Sequence, residues 1–205
     1  MIIFGAVEGV IDEAVLHRLI LHVGAQPGPI YGKMGKPKLR QQINGYNQAA
    51  LRTPWVVLVD LDQEEDCPPS LKDTWLSQPV PYLCFRVAVR EIEAWLMADR
   101  EHLAKFLSIS QSLIPHHPEK LMDPKQQLVE LSKRSRKRAI REDMVPTPTG
   151  GRKIGPGYTA CLIEFIHNTS LGWRPDIAAI RSESLSRCIK CIQTLDEKSK
   201  GNLRR

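Results

Sequence analysis

Two aspartates separated by a single leucine, Asp60 and Asp62, directly follow the apolar residues 55–59. A run of β-branched and aliphatic residues predicts a strand that is buried on both faces of a parallel sheet. The carboxyl ends of such strands form a ligand crevice, and residues i and i+2 of a strand point to the same side. We therefore expect both carboxylates at the crevice, where their oxygens would suit Mg²⁺ or Mn²⁺.

The alternative interpretation of this acidic segment is a solvated turn over residues 62–66. That interpretation accounts for Glu64, Glu65 and Asp66, which we expect to be exposed. It accounts less well for Asp60, which follows five apolar residues. A second acidic motif elsewhere in the chain favours the metal site.

Glu8 is the acid of this second motif, and it follows the apolar segment 1–7. This segment predicts a first strand, after which Gly9 permits a tight turn. Asp12 is predicted to cap a helix whose apolar residues recur at helical spacing, and Gly24 is predicted to end it. A strand, an acidic turn and a helix in this order begin a βαβ unit.

The two motifs together, Glu8-Gly9-x-x-Asp12 and Asp60-x-Asp62, resemble the Toprim domain. Primases, topoisomerases, small maturation nucleases and the nucleases of the OLD (overcoming lysogenisation defect) group share this domain. Residues 85–99 are similar to those of small stand-alone bacterial Toprim-like proteins. The resemblance covers about the first half of the chain, and it implies a general acid/base or metal-binding role for Glu8 and Mg²⁺ (or Mn²⁺) binding by Asp60 and Asp62.

The activity implied by this resemblance is metal-dependent hydrolysis of phosphodiester bonds in DNA or RNA, in bacterial defence or mobile-element biology. An ATPase partner is also implied by the resemblance alone. The alternative is a non-catalytic Toprim-like subunit that binds nucleic acid or regulates an ATPase complex. Covalent topoisomerase chemistry is not expected, because the chain has no room for a domain that carries a cleavage tyrosine.

A third acidic position is expected after the apolar segment 81–89, where Glu91 and Glu93 follow. In a helix these two residues would face nearly opposite ways, so only one would point at the metal site. We favour Glu93, because Ile92 and Leu96 mark the packed side, and Glu91 remains the alternative if the helix starts later.

Basic residues are in excess over acidic ones, with a net charge of +6 and a pI near 9.1. This balance favours a polyanionic partner such as nucleic acid. Two basic segments are predicted to contact phosphates, with solvated surface as the alternative for each. Their candidate residues are Lys33, Lys36 and Lys38 in the first segment and Lys133, Arg134, Arg136, Lys137 and Arg138 in the second.

The predicted fold is α/β, with a Toprim-like (Rossmann-like), mostly parallel sheet flanked by helices and a helical C-terminal extension. We expect a Toprim-like domain over residues 1–100 and a helical region over 101–205 that packs on it. Among the expected helices are 100–107, capped by Asp99, and 158–167 and 182–195. Residues 144–157 hold three prolines and four glycines and are expected to form a loop.

No apolar run approaches the roughly 20 residues that span a bilayer. The first seven residues lack a basic leader, so we expect no secretion and a cytoplasmic protein without membrane contact. The five cysteines form an odd set, which favours reduced thiols. Cys188 and Cys191 lie one helical turn apart, and we interpret them as core residues, not as a zinc or redox site.

Overall fold

The computed structural model describes residues 1–62, 67–147 and 151–202, the last four without their side chains. The expected exposure of Glu64, Glu65 and Asp66 concerns residues outside these ranges. The chain forms two compact units. The first comprises Met1–Val89 and Ser184–Arg205, and the second comprises Arg90–Glu183.

Four strands and ten α-helices make up the described chain. The strands are β1 (Ile2–Val7), β2 (Gln26–Gly32), β3 (Trp55–Asp60) and β4 (Leu83–Ala88). The helices are α1 (Val10–His22), α2 (Lys36–Ala49), α3 (Pro68–Trp75), α4 (Ile92–Ala98), α5 (Arg100–Leu107), α6 (Pro124–Lys133), α7 (Arg138–Met144), α8 (Tyr158–His167), α9 (Pro175–Ala179) and α10 (Glu183–Asn202).

The first unit is an α/β structure with one parallel sheet in the strand order β2-β1-β3-β4. Successive strands are joined by the helices α1, α2 and α3, and a helical crossover is the usual connection between parallel strands. The central strand β3 pairs with β1 through Phe4 and Trp55 and with β4 through Trp55 and Leu83. This arrangement is Rossmann-like and confirms the predicted α/β class.

Helices cover both faces of this sheet, because β3 is apolar on both sides. Val57 and Val59 point to one face, where they share a buried cluster with Leu39 of α2 and Leu71 of α3. On β1, a Cβ at Gly5 would lie 2.6 Å from the side chain of Leu16 in α1. Removing β3 from water on both faces explains why its sequence shows a continuous apolar run without alternation.

Cys84 of β4 and Cys191 of α10 are joined by a disulfide bond. The prediction that the cysteines are reduced is therefore wrong for these two. The pairing was not evident from the sequence, because the two residues are 107 positions apart and come together only when the chain returns to the first unit. Cys188 is buried in the core, as predicted.

The described residues of the second unit form helices joined by loops, without a strand. Its core contains Trp95, Tyr158, Phe165 and Trp173, and the indole Nε1 of Trp173 donates a hydrogen bond to the carbonyl oxygen of Trp95 at 3.0 Å. The units divide after Val89, whereas the sequence predicted a boundary after residue 100. Within the second unit α4 packs with α6 and α9.

Several predicted helices agree closely with the structure. The helices α5 and α8 begin and end where the sequence predicted, and the side chain of Asp99 accepts a hydrogen bond from the backbone N–H of His102, as expected of a cap. The prediction for Asp12 is wrong, because α1 begins at Val10 with Gly9 at its N-cap. None of the helices in the described ranges combines the length and the apolar character needed to cross a bilayer.

Candidate active site

Glu8 and Asp60 meet at the carboxyl edge of the sheet. Glu8 follows the last residue of β1, and Asp60 is the last residue of β3, which pairs with β1 in parallel. The Oε1 atom of Glu8 accepts a hydrogen bond from the backbone N–H of Asp60 at 2.8 Å. The strand order therefore brings the two motifs together across 52 positions of sequence.

Asp62 lies beyond the end of β3 and is positioned differently from the prediction. Leu61 continues the strand alternation into the core beside Val57 and Val59. Asp62 has a φ angle of 53°, so the period of two along a strand does not set the direction of its side chain. The Nζ atom of Lys36 lies 2.8 Å from Oδ2 of Asp62 and also donates to the carbonyl oxygen of Leu61 at 3.3 Å.

The carboxyl group of Glu8 titrates near neutrality. Its pKa is raised from 4.5 to about 7, mainly by burial and in addition by the negative charges of Asp12 and Asp62. The hydrogen bond from the Asp60 N–H and the positive charge of Lys36 act in the opposite direction. A carboxyl group with a pKa near 7 can both accept and donate a proton at physiological pH, which is the property required of a general acid or base.

The loop after β2 is fixed against the end of β1. The backbone N–H of Lys33 donates to the carbonyl oxygen of Val7 at 2.9 Å, and that of Gly35 donates to the carbonyl oxygen of Glu8 at 3.0 Å. Gly32 has a φ angle of 89°, and a Cβ there would clash with the carbonyl oxygen of Val7. The close approach of two backbones therefore requires glycine at this position.

The remaining predicted acid, Glu93, belongs to the second unit. Its carboxylate is 1% exposed and accepts a hydrogen bond from the hydroxyl group of Tyr158 at 3.1 Å. The Nζ atom of Lys125 lies 3.6 Å from Glu93 and 3.4 Å from Glu91. The helix starts later than Glu91, as in the alternative considered from the sequence: Glu91 precedes α4 in an extended conformation, and both glutamates lie near the same lysine.

Most of the predicted phosphate-binding residues contact other side chains or backbone carbonyl groups of the protein. Lys33 pairs with Glu13 at 2.8 Å, and Lys38 donates to Oε1 of Gln41 at 2.9 Å. In the second segment, Lys133 pairs with Glu130 and Arg138 pairs with Glu142, while Arg136 and Lys137 donate to backbone carbonyl groups. Arg134 is an exposed residue at the end of α6. Most of these eight predicted residues are exposed, and Lys36 is the one among them that is buried.

The donor chemistry at this edge of the sheet fits a hard divalent cation. Glu8, Asp60 and Asp62 offer carboxylate oxygens, and the neighbouring negative charges that raise the pKa of Glu8 are those that a cation would offset. Within residues 1–62, 67–147 and 151–202, no group of three or more His, Cys, Asp or Glu side chains is positioned to hold a metal ion.

Two contributions to this site were not assigned from the sequence. Asp12 was predicted to be a cap, yet its charge raises the pKa of Glu8 from the first turn of α1. Lys36 was predicted to bind phosphate from a loop, yet it is the first residue of α2 and pairs with Asp62. The sequence signal for their proximity was that only the short turn at Gly9 separates Glu8 from the first turn of α1, which contains Asp12.

Comparisons with protein-family models, with curated proteins and with solved structures gave no match to this chain.

Proposed function

We propose that this protein is a Toprim-type nuclease that hydrolyses phosphodiester bonds in DNA or RNA with the help of Mg²⁺ or Mn²⁺. The observation that carries the proposal is the contact between Glu8 and the end of β3, since it gathers the acids of two distant motifs at the carboxyl edge of a parallel sheet. Catalytic and ligand-binding residues of open α/β sheets are generally found at this edge.

In this proposal Asp60 and Asp62 would hold the metal ion, and Glu93, which lies in the second unit, has no part in it. When bound, the ion would supply Lewis-acid stabilisation of the charge on the scissile phosphate and lower the pKa of water. Glu8 would accept a proton from the attacking water at its carboxylate and donate it to the leaving oxygen, for which a pKa of about 7 is suited. Lys36, beside Asp62, would neutralise phosphate charge.

The alternative is a non-catalytic Toprim-like subunit that binds nucleic acid. The ion pair between Lys36 and Asp62 favours it, because a lysine ammonium group already provides a positive charge where the proposal requires a metal ion. In either case, resemblance to stand-alone bacterial Toprim-like proteins suggests an ATPase as the protein partner. We place this partner in bacterial defence or mobile-element biology by the same resemblance.

The test of the proposal is cleavage of end-labelled single-stranded and duplex DNA and RNA by the purified protein. We expect cleavage with Mg²⁺ or Mn²⁺ and none with a chelator. Glu8→Gln and Asp60→Asn should each lower the rate by about 100-fold or more, because they remove a proton acceptor and a metal ligand.

The matched control is Asp73→Asn, which makes the same chemical change at an exposed position of α3 in the same unit. It should cleave like the wild-type protein. Thermal unfolding with and without Mg²⁺ provides a second readout, and the ion should stabilise the wild type more than Asp60→Asn. Binding without cleavage in all metals, also with the partner ATPase added, would contradict the nuclease and support the alternative.

A further inference from the structure

A pocket of about 520 Å³ opens between the end of β2 and one face of α2. Tyr31, Tyr46, Gln41 and Gln42 line it, and the hydroxyl group of Tyr46 donates to Oε1 of Gln42 at 2.8 Å. The size lies within the usual range for sites that bind small organic groups. None of these residues belongs to the acidic edge described above.

The aromatic walls of this pocket are held in place by the indole ring of Trp55. The ring centroid of Tyr31 lies 5.6 Å from that of Trp55, and the ring centroid of Tyr46 lies 5.4 Å from it. Even so, Tyr31 is 47% exposed, and Met34 at the pocket is 72% exposed. Fixed aromatic rings with accessible surface are suited to stacking against a planar ligand.

Gly45 lines the same pocket from the interior of α2. A Cβ at this position would have no atom within 4 Å, so packing does not require a glycine. A glycine inside a helix lowers stability by roughly 1 kcal/mol relative to alanine. The absence of a side chain instead leaves room in the pocket, which is where a ligand would approach the helix closely.

The charge of the surrounding sequence indicates an anionic ligand. Between Glu13 and Asp60 the chain contains no aspartate or glutamate, but it contains six lysines and arginines. One of them, Lys38, donates to the Oε1 atom of Gln41 at 2.9 Å and so lies at the pocket. Aromatic stacking surfaces beside basic side chains are the combination that binds single-stranded nucleic acid.

We propose that this pocket binds an unpaired base of single-stranded nucleic acid. The base stacks on Tyr31 and Tyr46, its polar edge faces the amides of Gln41 and Gln42, and its phosphate contacts Lys38. This inference rests on the proposed function for its choice of nucleic acid as the ligand. Its physical basis is separate, because it depends on aromatic and amide groups and not on Glu8 or Asp60.

The test is fluorescence anisotropy with labelled single-stranded oligonucleotides, matching duplexes and a mononucleotide competitor, without divalent metal so that no strand is cut. We expect single strands to bind more tightly than duplexes. Gly45→Leu, which fills the pocket without removing a contact, should weaken binding roughly 5- to 150-fold, the range for loss of one stacked base. Tyr31→Ala should do the same, and Tyr31→Phe should retain binding.

The control for Gly45→Leu is Asn44→Leu, which adds the same side chain at an exposed position of α2 outside the pocket. It should bind like the wild type. Lys38→Ala should lower the slope of log affinity against log salt by about one. Wild-type affinity in Gly45→Leu, or a mononucleotide that competes as well as the strand, would overturn the proposal. Cleavage without these effects would support the nuclease and contradict the base-binding pocket. Pocket-dependent binding without cleavage would support the pocket and contradict the nuclease.

Discussion

Glu8 is the residue at which folding and pH are coupled most directly. Its pKa is about 7 in the folded protein, against the ordinary glutamate value of 4.5 in the unfolded chain. At a pH between these two pKa values, Glu8 holds a proton in the folded state that it has released in the unfolded state. The free energy of unfolding therefore falls as the pH rises from about 4.5 to about 7, and it stays lowered above pH 7.

We predict that Glu8→Gln removes this pH dependence, because a neutral amide needs no proton to remain buried. The groups that act on the Glu8 charge, Asp12, Lys36 and Asp62, stay in place in this variant. At pH 8 the variant should be more stable than the wild type by about 1–3 kcal/mol. Urea unfolding at pH 4.5, 6 and 8 measures this difference. The same pH slope in both proteins would contradict the assigned pKa.

At the scale of elements, the start of α5 is joined to the segment before α9 by a buried charge. Asp99 is fully buried and accepts hydrogen bonds from the Arg174 guanidinium group at 2.9 and 2.7 Å and from the backbone N–H of His102. Asp99 and Glu101 raise the pKa of Arg174, so its charge persists at any physiological pH. One carboxylate thus caps a helix and orders a distant turn of the same unit.

We predict that Asp99→Asn lowers the free energy of unfolding by about 3–5 kcal/mol. The substitution removes the buried carboxylate that pairs with the guanidinium group of Arg174. Glu101→Gln is the matched control, since Glu101 contacts the same arginine at 3.0 Å from an exposed position. Its effect should be much smaller, because solvent screens this exposed ion pair. Tryptophan fluorescence during urea unfolding of the full chain measures both, and equal effects would contradict the structural role of Asp99.

At the scale of the whole molecule, the disulfide bond between Cys84 and Cys191 links two segments of the first unit that the entire second unit separates in sequence. Cross-linking residues this far apart restricts the unfolded chain more than it restricts the folded protein. The bond therefore stabilises the return of α10 to the sheet.

We predict three free thiols in the unfolded, unreduced chain, namely Cys67, Cys161 and Cys188, and five after reduction. Reduction should lower the free energy of unfolding by about 2–4 kcal/mol. Thiol titration and urea unfolding with and without reductant measure these outcomes. A variant carrying Cys84→Ala and Cys191→Ala should not respond to reductant, and five free thiols before reduction would contradict the bond.

The sequence by itself determined the local structure and the chemistry of the candidate site. The apolar run before Asp60 predicted a buried strand because nearly all of its side chains avoid water, and the cap at Asp99 predicted the start of α5 because its acceptor is only three residues from its donor. Both depend on neighbours in the chain, and the parallel sheet and the position of Glu8 followed from the same patterns.

Only the tertiary structure decided which distant groups meet. The strand order places Glu8 against Asp60, the left-handed conformation of Asp62 directs its carboxylate to Lys36, and burial raises the pKa of Glu8. The pairing of Cys84 with Cys191 and the separation of Glu93 into the second unit were decided in the same way. Such contacts depend on how the whole chain excludes water from its cores, and no short segment of sequence contains that information.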